Sequence, residues 1–449
     1  MNFRFATWVL TALVIGPASR AGEFIWQEGG AGVALTRITN EGPVLYTVVR
    51  IERERLNKDL TLVTTLASNT VVGLDTLSNQ VHALPKELGT PVAAMNADFF
   101  MMTGSTTGEP RGLQILRGEL VSVATGPAAF WLDETGKIHG EPVRSRLTLS
   151  WPGGGTNLAG LNEELGTNAL VLFTPSMGRL YNYRAPTNRT TTSSRSVTNR
   201  AATNRTTTTR STSTTNATRP ATSSTNFDSA IPRGGPVRPP GGREWTLLPD
   251  GPGPWLPLRI GRTYHARTAT STDGFTNVPP GMMLMSLGSN LVRRLPELTN
   301  GTPITITVAT DPDLSGVAEA LGTGPMLVRD GKPHETKARM SEQLHPRSAI
   351  GWNDEHLFLV VADGRQTGLS VGARLSEIAD FLVALGCREA INMDGGVSTT
   401  LMLNGRTINS PSFGITTPKN GPPSPGRQRP IKNAVVILRK TPPADENVD

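Results

Sequence analysis

Apolar and polar residues follow two different periods along this chain. Residues 46–52 and 60–66 mix β-branched and polar side chains in the near-alternation of half-buried strands. Short strand-like runs continue at 112–121, which carries a glycine turn, and at 129–132, 169–173 and 244–248. Residues 301–308 alternate cleanly, whereas 357–362 are almost continuously apolar, the pattern of a strand covered on both faces. The clearest helix is predicted over 375–385. Leu375, Ile378, Ala379, Leu382 and Leu385 fall on one side, and Gly386 ends it. The order of strand, helix, glycine and strand (390–393) resembles a parallel βαβ unit inside an otherwise antiparallel sheet. The fold class expected is α+β, with one large, mixed but mainly antiparallel sheet and flanking helices.

Three stretches break the pattern. Residues 1–21 read as a secretory leader. Arg4 precedes an apolar core (5–15) interrupted only by Thr7 and Thr11, Gly16-Pro17 ends it, and Ser19 and Ala21 offer small residues for cleavage. That core is too short for a comfortable membrane span, and no later segment is apolar enough for one, so an exported protein, periplasmic or extracellular, is expected. Residues 187–226 are nearly all Thr, Ser, Asn and Arg, followed by a Pro/Gly/Arg tract at 232–242. Such composition has too little apolar surface to offset ordering entropy, so 185–243 is expected to be a disordered insertion. It divides one domain into parts at 22–184 and 244–440, leaving 441–449 as a tail.

Charge must be located before it is interpreted. The chain has 44 Lys and Arg against 37 Asp and Glu. Six of the arginines (Arg189, Arg195, Arg200, Arg205, Arg210, Arg219) lie in the insertion, and Arg4 and Arg20 lie in the leader. Setting these aside leaves 36 basic residues, so the folded part is near neutral, which argues against a basic DNA-binding domain. The lone Cys387 excludes an internal disulfide and a cysteine zinc site, and its place after an apolar run suits packing.

Candidate chemistry gathers where apolar runs end. Asn96 and Asp98 follow one run, Asp363 and Arg365 a second, and Asn392, Asp394, Gly395, Gly396, Ser398 and Thr399 a third. Strand ends are where sheets place ligand sites, although Asp-Gly alone is also a common turn. Gly395 and Gly396 would let backbone N–H groups approach an anion, and the Ser398 and Thr399 hydroxyls would add donors. Arg347 and Arg365 offer forked guanidinium groups for phosphate. Asp363 and Asp394 offer carboxylates for nucleophile, base or metal duty.

These segments carry a resemblance. Asn96-Ala97-Asp98-Phe99-Phe100, Pro110-Arg111-Gly112, Gly322-Thr323-Gly324-Pro325 and His345-Pro346-Arg347-Ser348 are its first half. Asp363-Gly364-Arg365-Gln366, Asn392-Met393-Asp394-Gly395-Gly396, Ser398-Thr399-Thr400 and Asn409-Ser410-Pro411 complete it. In order and spacing the set resembles the phosphodiester glycosidase family, from about residue 33 to 438. It departs at Ala97 and Val397, where that family more often carries glycine or a small polar residue. The resemblance implies hydrolysis of the C1–O bond of a sugar-1-phosphodiester, in a glycan or an anionic envelope glycopolymer. Asp394 and Asp363 would then be catalytic, Arg347 and Arg365 would clamp phosphate, and Asn96 and Asp98 would bind sugar hydroxyls. Asn392 would join the binding residues, and His345 is a candidate proton shuttle. Two alternatives stay open. One is a phosphodiesterase cutting P–O with Mg²⁺ or Ca²⁺ on the same aspartates. The other is a non-catalytic glycopolymer-binding protein. No cofactor is required by the residues themselves.

Overall fold

The computed structural model describes residues 13–15 and 24–441, except 31, 41, 57, 104–105, 179–240, 271–277, 295–297, 336–341 and 416–425. The predicted insertion therefore lies outside the described residues apart from 241–243, and Arg243 already opens the strand Arg243–Pro249. Of the predicted leader only Leu13–Ile15 is described, as a short strand parallel to Val33–Asn40.

Strands dominate, in four sheets that are mainly antiparallel. The largest runs in the order Val33–Asn40, Val44–Glu52, His356–Ala362, Arg347–Trp352, Glu389–Met393 and Met326–Arg329, with short strands at its edges. A smaller sheet orders Arg406–Thr407, Leu401–Leu403, Thr90–Asn96, Ala434–Arg439 and Leu60–Thr64. The two sheets share a core. Val49, Ile350, Leu359, Val361, Ile391 and Met393 of the first meet Leu62, Val92, Met95, Leu401, Val435 and Ile437 of the second.

The opposite face of the large sheet carries the helix Leu375–Ala384. Its predicted apolar side packs with Val48, Ala349, Phe358, Val360 and Ala390. The Phe381 ring also stacks on Tyr46 with centroids 4.0 Å apart. Alternate residues of His356–Ala362 thus face two different cores, which is why that strand reads as continuously apolar. Each large side chain buried in this way contributes about 1.5–3 kcal/mol. Cys387 is buried in the same layer, and a Cβ on Gly351 would lie 2.6 Å from its Sγ.

The predicted βαβ unit is present with one difference. His356–Ala362 and Glu389–Met393 are parallel but not adjacent, because Arg347–Trp352 pairs antiparallel with both and lies between them. The helix therefore crosses over an inserted strand. Two further sheets complete the chain. The strand Pro303–Asp311 belongs to one of them and buries Ile304, Ile306 and Val308, as its alternation implies. The 112–121 run folds as the hairpin Gln114–Leu116 and Glu119–Ser122, turning at Arg117 and Gly118, both with positive φ.

Candidate active site

One rim of the two facing sheets collects the candidate residues. The pairings Ser348↔Met393, Arg347↔Ala362, Leu401↔Met95 and Ala434↔Asn96 bring six strand ends to the same edge. Residues 96–98, 345–348, 363–365, 394–400 and 432–433 therefore converge, although up to about 340 positions separate them in sequence.

Asn96 ties the rim together. Its Oδ1 accepts from Ser348 Oγ (2.9 Å) and from Thr400 N–H (3.0 Å), and its Nδ2 donates to the Asp394 carbonyl. Both ends of the buried amide are thus committed to protein, leaving little of it for a sugar hydroxyl. Thr399 is buried alongside, with Oγ1 3.3 Å from Ser348 Oγ.

Two carboxyls sit beyond Asn96. Asp98 is buried. Its backbone N–H donates to Asn433 Oδ1, and its Oδ1 accepts the Phe99 N–H at 2.7 Å. Its Oδ2 has no hydrogen-bond partner, and the Gly112 N–H is near it without hydrogen-bond geometry. Burial pushes the Asp98 pKa up to about 7, the neighbouring Asp394 charge adds to the rise, and Arg111 opposes it. Glycine is required around this group: a Cβ on Gly322 would lie 2.5 Å from Asp98 Oδ2. Asp394 is half-buried, and burial raises its pKa to about 6. The Ser398 hydroxyl, the Arg429 and Arg111 cations and the Gly395 N–H all favour its ionised form.

The glycine pair has a different role from the one its sequence suggests. The Gly396 N–H donates to the Pro346 carbonyl at 2.7 Å, and the Gly395 N–H faces the Asp394 carboxylate. The Gly396 amide is therefore not open to an anion. A Cβ on Gly395 would lie 2.7 Å from Pro346 O, so this loop needs glycine for close packing of backbone on backbone.

The arginines divide in the same way. Arg347 is buried, with Nε donating to Ala373 O (2.9 Å) and Nη2 to Gln343 O (2.7 Å). These contacts fasten the 343–347 segment to Ala373, which also bridges to His345 just before the helix Leu375–Ala384. Arg365 is exposed, adopts φ 59°, and lies over Gly396. Its Nη2 donates to His345 Nδ1 at 3.0 Å, which places the imidazole proton on Nε2 toward Gln343 Oε1. Burial and the two arginines lower the His345 pKa, so the ring is neutral at pH 7.

Asp363 is turned away from this cluster. Its Oδ1 accepts from Asn409 Nδ2 (2.8 Å), and both of its oxygens face the Ser410 N–H (3.1 and 3.0 Å). Burial raises its pKa to about 6. The contacts make it an anchor for the 409–410 loop. Asn392 is buried with its Oδ1 unpartnered, and its Nδ2 would lie 2.7 Å from a Cβ on Gly324.

Sequence reasoning missed Arg429. Its Nη1 donates to Ser398 Oγ at 3.2 Å, and its guanidinium lies 5.0 Å from the Phe100 ring centroid. It stands in a loop with no motif of its own, so only folding reveals its place beside Asp394. Arg111 was visible within the Pro110-Arg111-Gly112 motif but unassigned. Among the described residues no three His, Cys, Asp or Glu side chains converge as a metal set. Among the described residues there is thus no set of three such side chains of the kind that Mg²⁺ or Ca²⁺ takes.

A family model described as phosphodiester glycosidase matches residues 261–438. An uncharacterized SPbeta prophage-derived protein, YomE, of Bacillus subtilis strain 168 is 33% identical over 104 residues. That stretch is 22% of this chain and 16% of the Bacillus protein. A hypothetical protein from Synechocystis has a similar fold (TM-score 0.59, 17% identity), covering 90% of this chain and 62% of its own. A putative exported protein from Burkholderia pseudomallei K96243 is also similar (TM-score 0.57, 17% identity), with coverage of 88% and 74%. The chain thus spans less than two thirds of the Bacillus and Synechocystis relatives. The matched residues include Arg347, Asp363, Arg365, Asn392, Asp394, Ser398 and Arg429, so the resemblance to the phosphodiester glycosidase family is supported over 261–438, while Asn96, Asp98 and Arg111 lie outside the match.

Proposed function

We infer that the protein hydrolyses the C1–O bond of a sugar-1-phosphodiester at this rim. The observation that carries the reading is the half-buried Asp394 carboxylate, flanked by Arg429 and Arg111 and backed by the buried Asp98. A phosphodiester is an acidic leaving group, so holding its charge matters more than protonating it. Arg429, Arg111 and the exposed Arg365 hold the phosphate. The ionised Asp394 stabilises positive charge at C1 or takes a proton from the incoming water. Water adds to C1, the C1–O bond breaks, and the departing oxygen stays on phosphorus. The products are free sugar and a phosphate monoester.

Asp98 acts through Asp394. Burial, with a smaller contribution from the Asp394 charge, raises the Asp98 pKa to about 7, above the value of about 6 for Asp394, so Asp98 holds its proton to higher pH than Asp394 does. Asn96, Arg347 and Asp363 are positioning residues that hold three loops at the rim. In this reading the enzyme works outside the cytoplasm, as the leader-like residues 1–21 suggest. Fractionation of expressing cells tests that placement.

Incubation with a sugar-1-phosphodiester, with and without chelator, tests the activity. Free sugar and phosphomonoester, insensitive to chelator, support it. Chelator-sensitive release of sugar phosphate marks a P–O phosphodiesterase. Binding of an anionic glycopolymer without turnover marks a non-catalytic protein.

A further inference from the structure

Large apolar side chains are rarely left in water without a reason when they gather at one place. Six are exposed among the described residues: Ile25, Met102, Leu248, Leu344, Leu369 and Val371. Four of these lie in segments that also carry candidate site residues. Leu344 (40% exposed) precedes His345, and Leu369 (41%) and Val371 (37%) lie in the loop that Arg365 begins. The backbone fixes these three together. The Arg365 N–H donates to Val371 O, the Leu369 N–H to Gln366 O, and His345 and Ala373 exchange both of their backbone hydrogen bonds. Met102 (63%) extends from the segment holding Asp98 and Phe100.

The exposed Arg365 guanidinium, bonded to His345 and lying over Gly396, stands on the loop that also carries Leu369 and Val371, and the carboxylate closest in sequence, Asp363, is buried and committed to Asn409 and Ser410. A cation beside an apolar strip complements an amphiphile in which phosphate and hydrocarbon are covalently joined. We propose that the group leaving from C1 is a lipid phosphate, whose hydrocarbon chain lies across Leu344, Leu369 and Val371 while Arg365 holds its phosphate. This rests on the sugar-1-phosphodiester reading and names the class of its aglycone.

Equilibrium binding of ethyl phosphate and hexyl phosphate, below micellar concentration, tests the strip without requiring turnover. Four additional methylenes, partly covered, favour hexyl phosphate by about tenfold. The combined variant Leu344→Ser, Leu369→Ser, Val371→Ser removes only exposed side chains. It should keep the thermal transition and the affinity for ethyl phosphate while losing the hexyl advantage. Equal affinities for the two esters, or an advantage that survives in the variant, overturn the proposal and leave the phosphate clamp standing. If neither ester binds, the clamp itself is wrong and the proposal falls with it. Sedimentation with phosphatidylcholine vesicles by the wild type alone, without a hexyl preference, would identify the strip as a membrane contact and also overturn it.

Discussion

The side-chain amide of Asn96, at the end of a strand in the smaller sheet, donates to the backbone carbonyl of Asp394, at the end of a strand in the larger one. One buried group thus couples the two sheets at the point where the carboxylate projects. Asn96→Ala would strand Ser348 Oγ, the Thr400 N–H and the Asp394 carbonyl. A loss of about 2–4 kcal/mol in unfolding free energy is expected, together with reduced turnover. Urea titration of the variant checks this, and wild-type stability would show that the bridge is dispensable.

Asp394→Asn should lower turnover by about two orders of magnitude or more while moving the melting temperature by only a few degrees. The ionised form is the active one, so the wild-type rate should rise with pH through about 6, where the Asp394 carboxyl titrates. A variant retaining half its activity would remove Asp394 from the mechanism.

Arg429→Ala removes a cation that favours Asp394 ionisation. The acid limb of the pH–rate profile should therefore move to higher pH, and kcat/KM should fall at every pH. A purely structural role for Arg429 would lower the rate without moving the limb. Arg429→Lys restores charge without the fork and should recover the position of the limb better than the rate.

Asp98 makes a pH-dependent contribution to stability. Its folded pKa of about 7 lies above its ordinary value of 3.8, so the folded state binds this proton more tightly than the unfolded state does. The contribution is fully present below about pH 4 and is lost as pH rises toward 7. Asp98→Asn stays neutral, so relative to wild type it should gain stability between pH 5 and pH 8 while losing activity. Chemical denaturation at the two pH values measures the difference, and a constant difference would contradict the burial of an ionising group.

Removing residues 187–226 and closing the gap with a short Gly/Ser linker should leave the thermal transition and small-substrate hydrolysis nearly unchanged. The flanking strands Leu170–Phe173 and Arg243–Pro249 both pair with Met283–Leu287, so the two sides of the gap are anchored on one strand. Loop-closure entropy changes slowly with length. A collapsed transition would show that the excised stretch contributes to the fold.

Local pattern determined much of this protein. Alternation in 301–308, the unbroken apolar run at 357–362 and the one-sided helix at 375–385 identified their elements because burial imposes period 2, two-faced or 3.6-residue constraints directly on side chains. The motifs around Asp98, Asp363 and Asp394 were equally plain, since each closes an apolar strand. Partnership was not, because sequence spacing carries no information about which polar groups consume one another across a rim. Only the tertiary structure committed Arg347 to Ala373 and Gln343, Asp363 to Asn409 and Ser410, and the Gly396 amide to Pro346. It also brought Arg429, from a loop with no signature, to Asp394. The same side chains acquire opposite roles depending on which hydrogen bonds are already made, and that is decided by contacts between residues far apart in the chain.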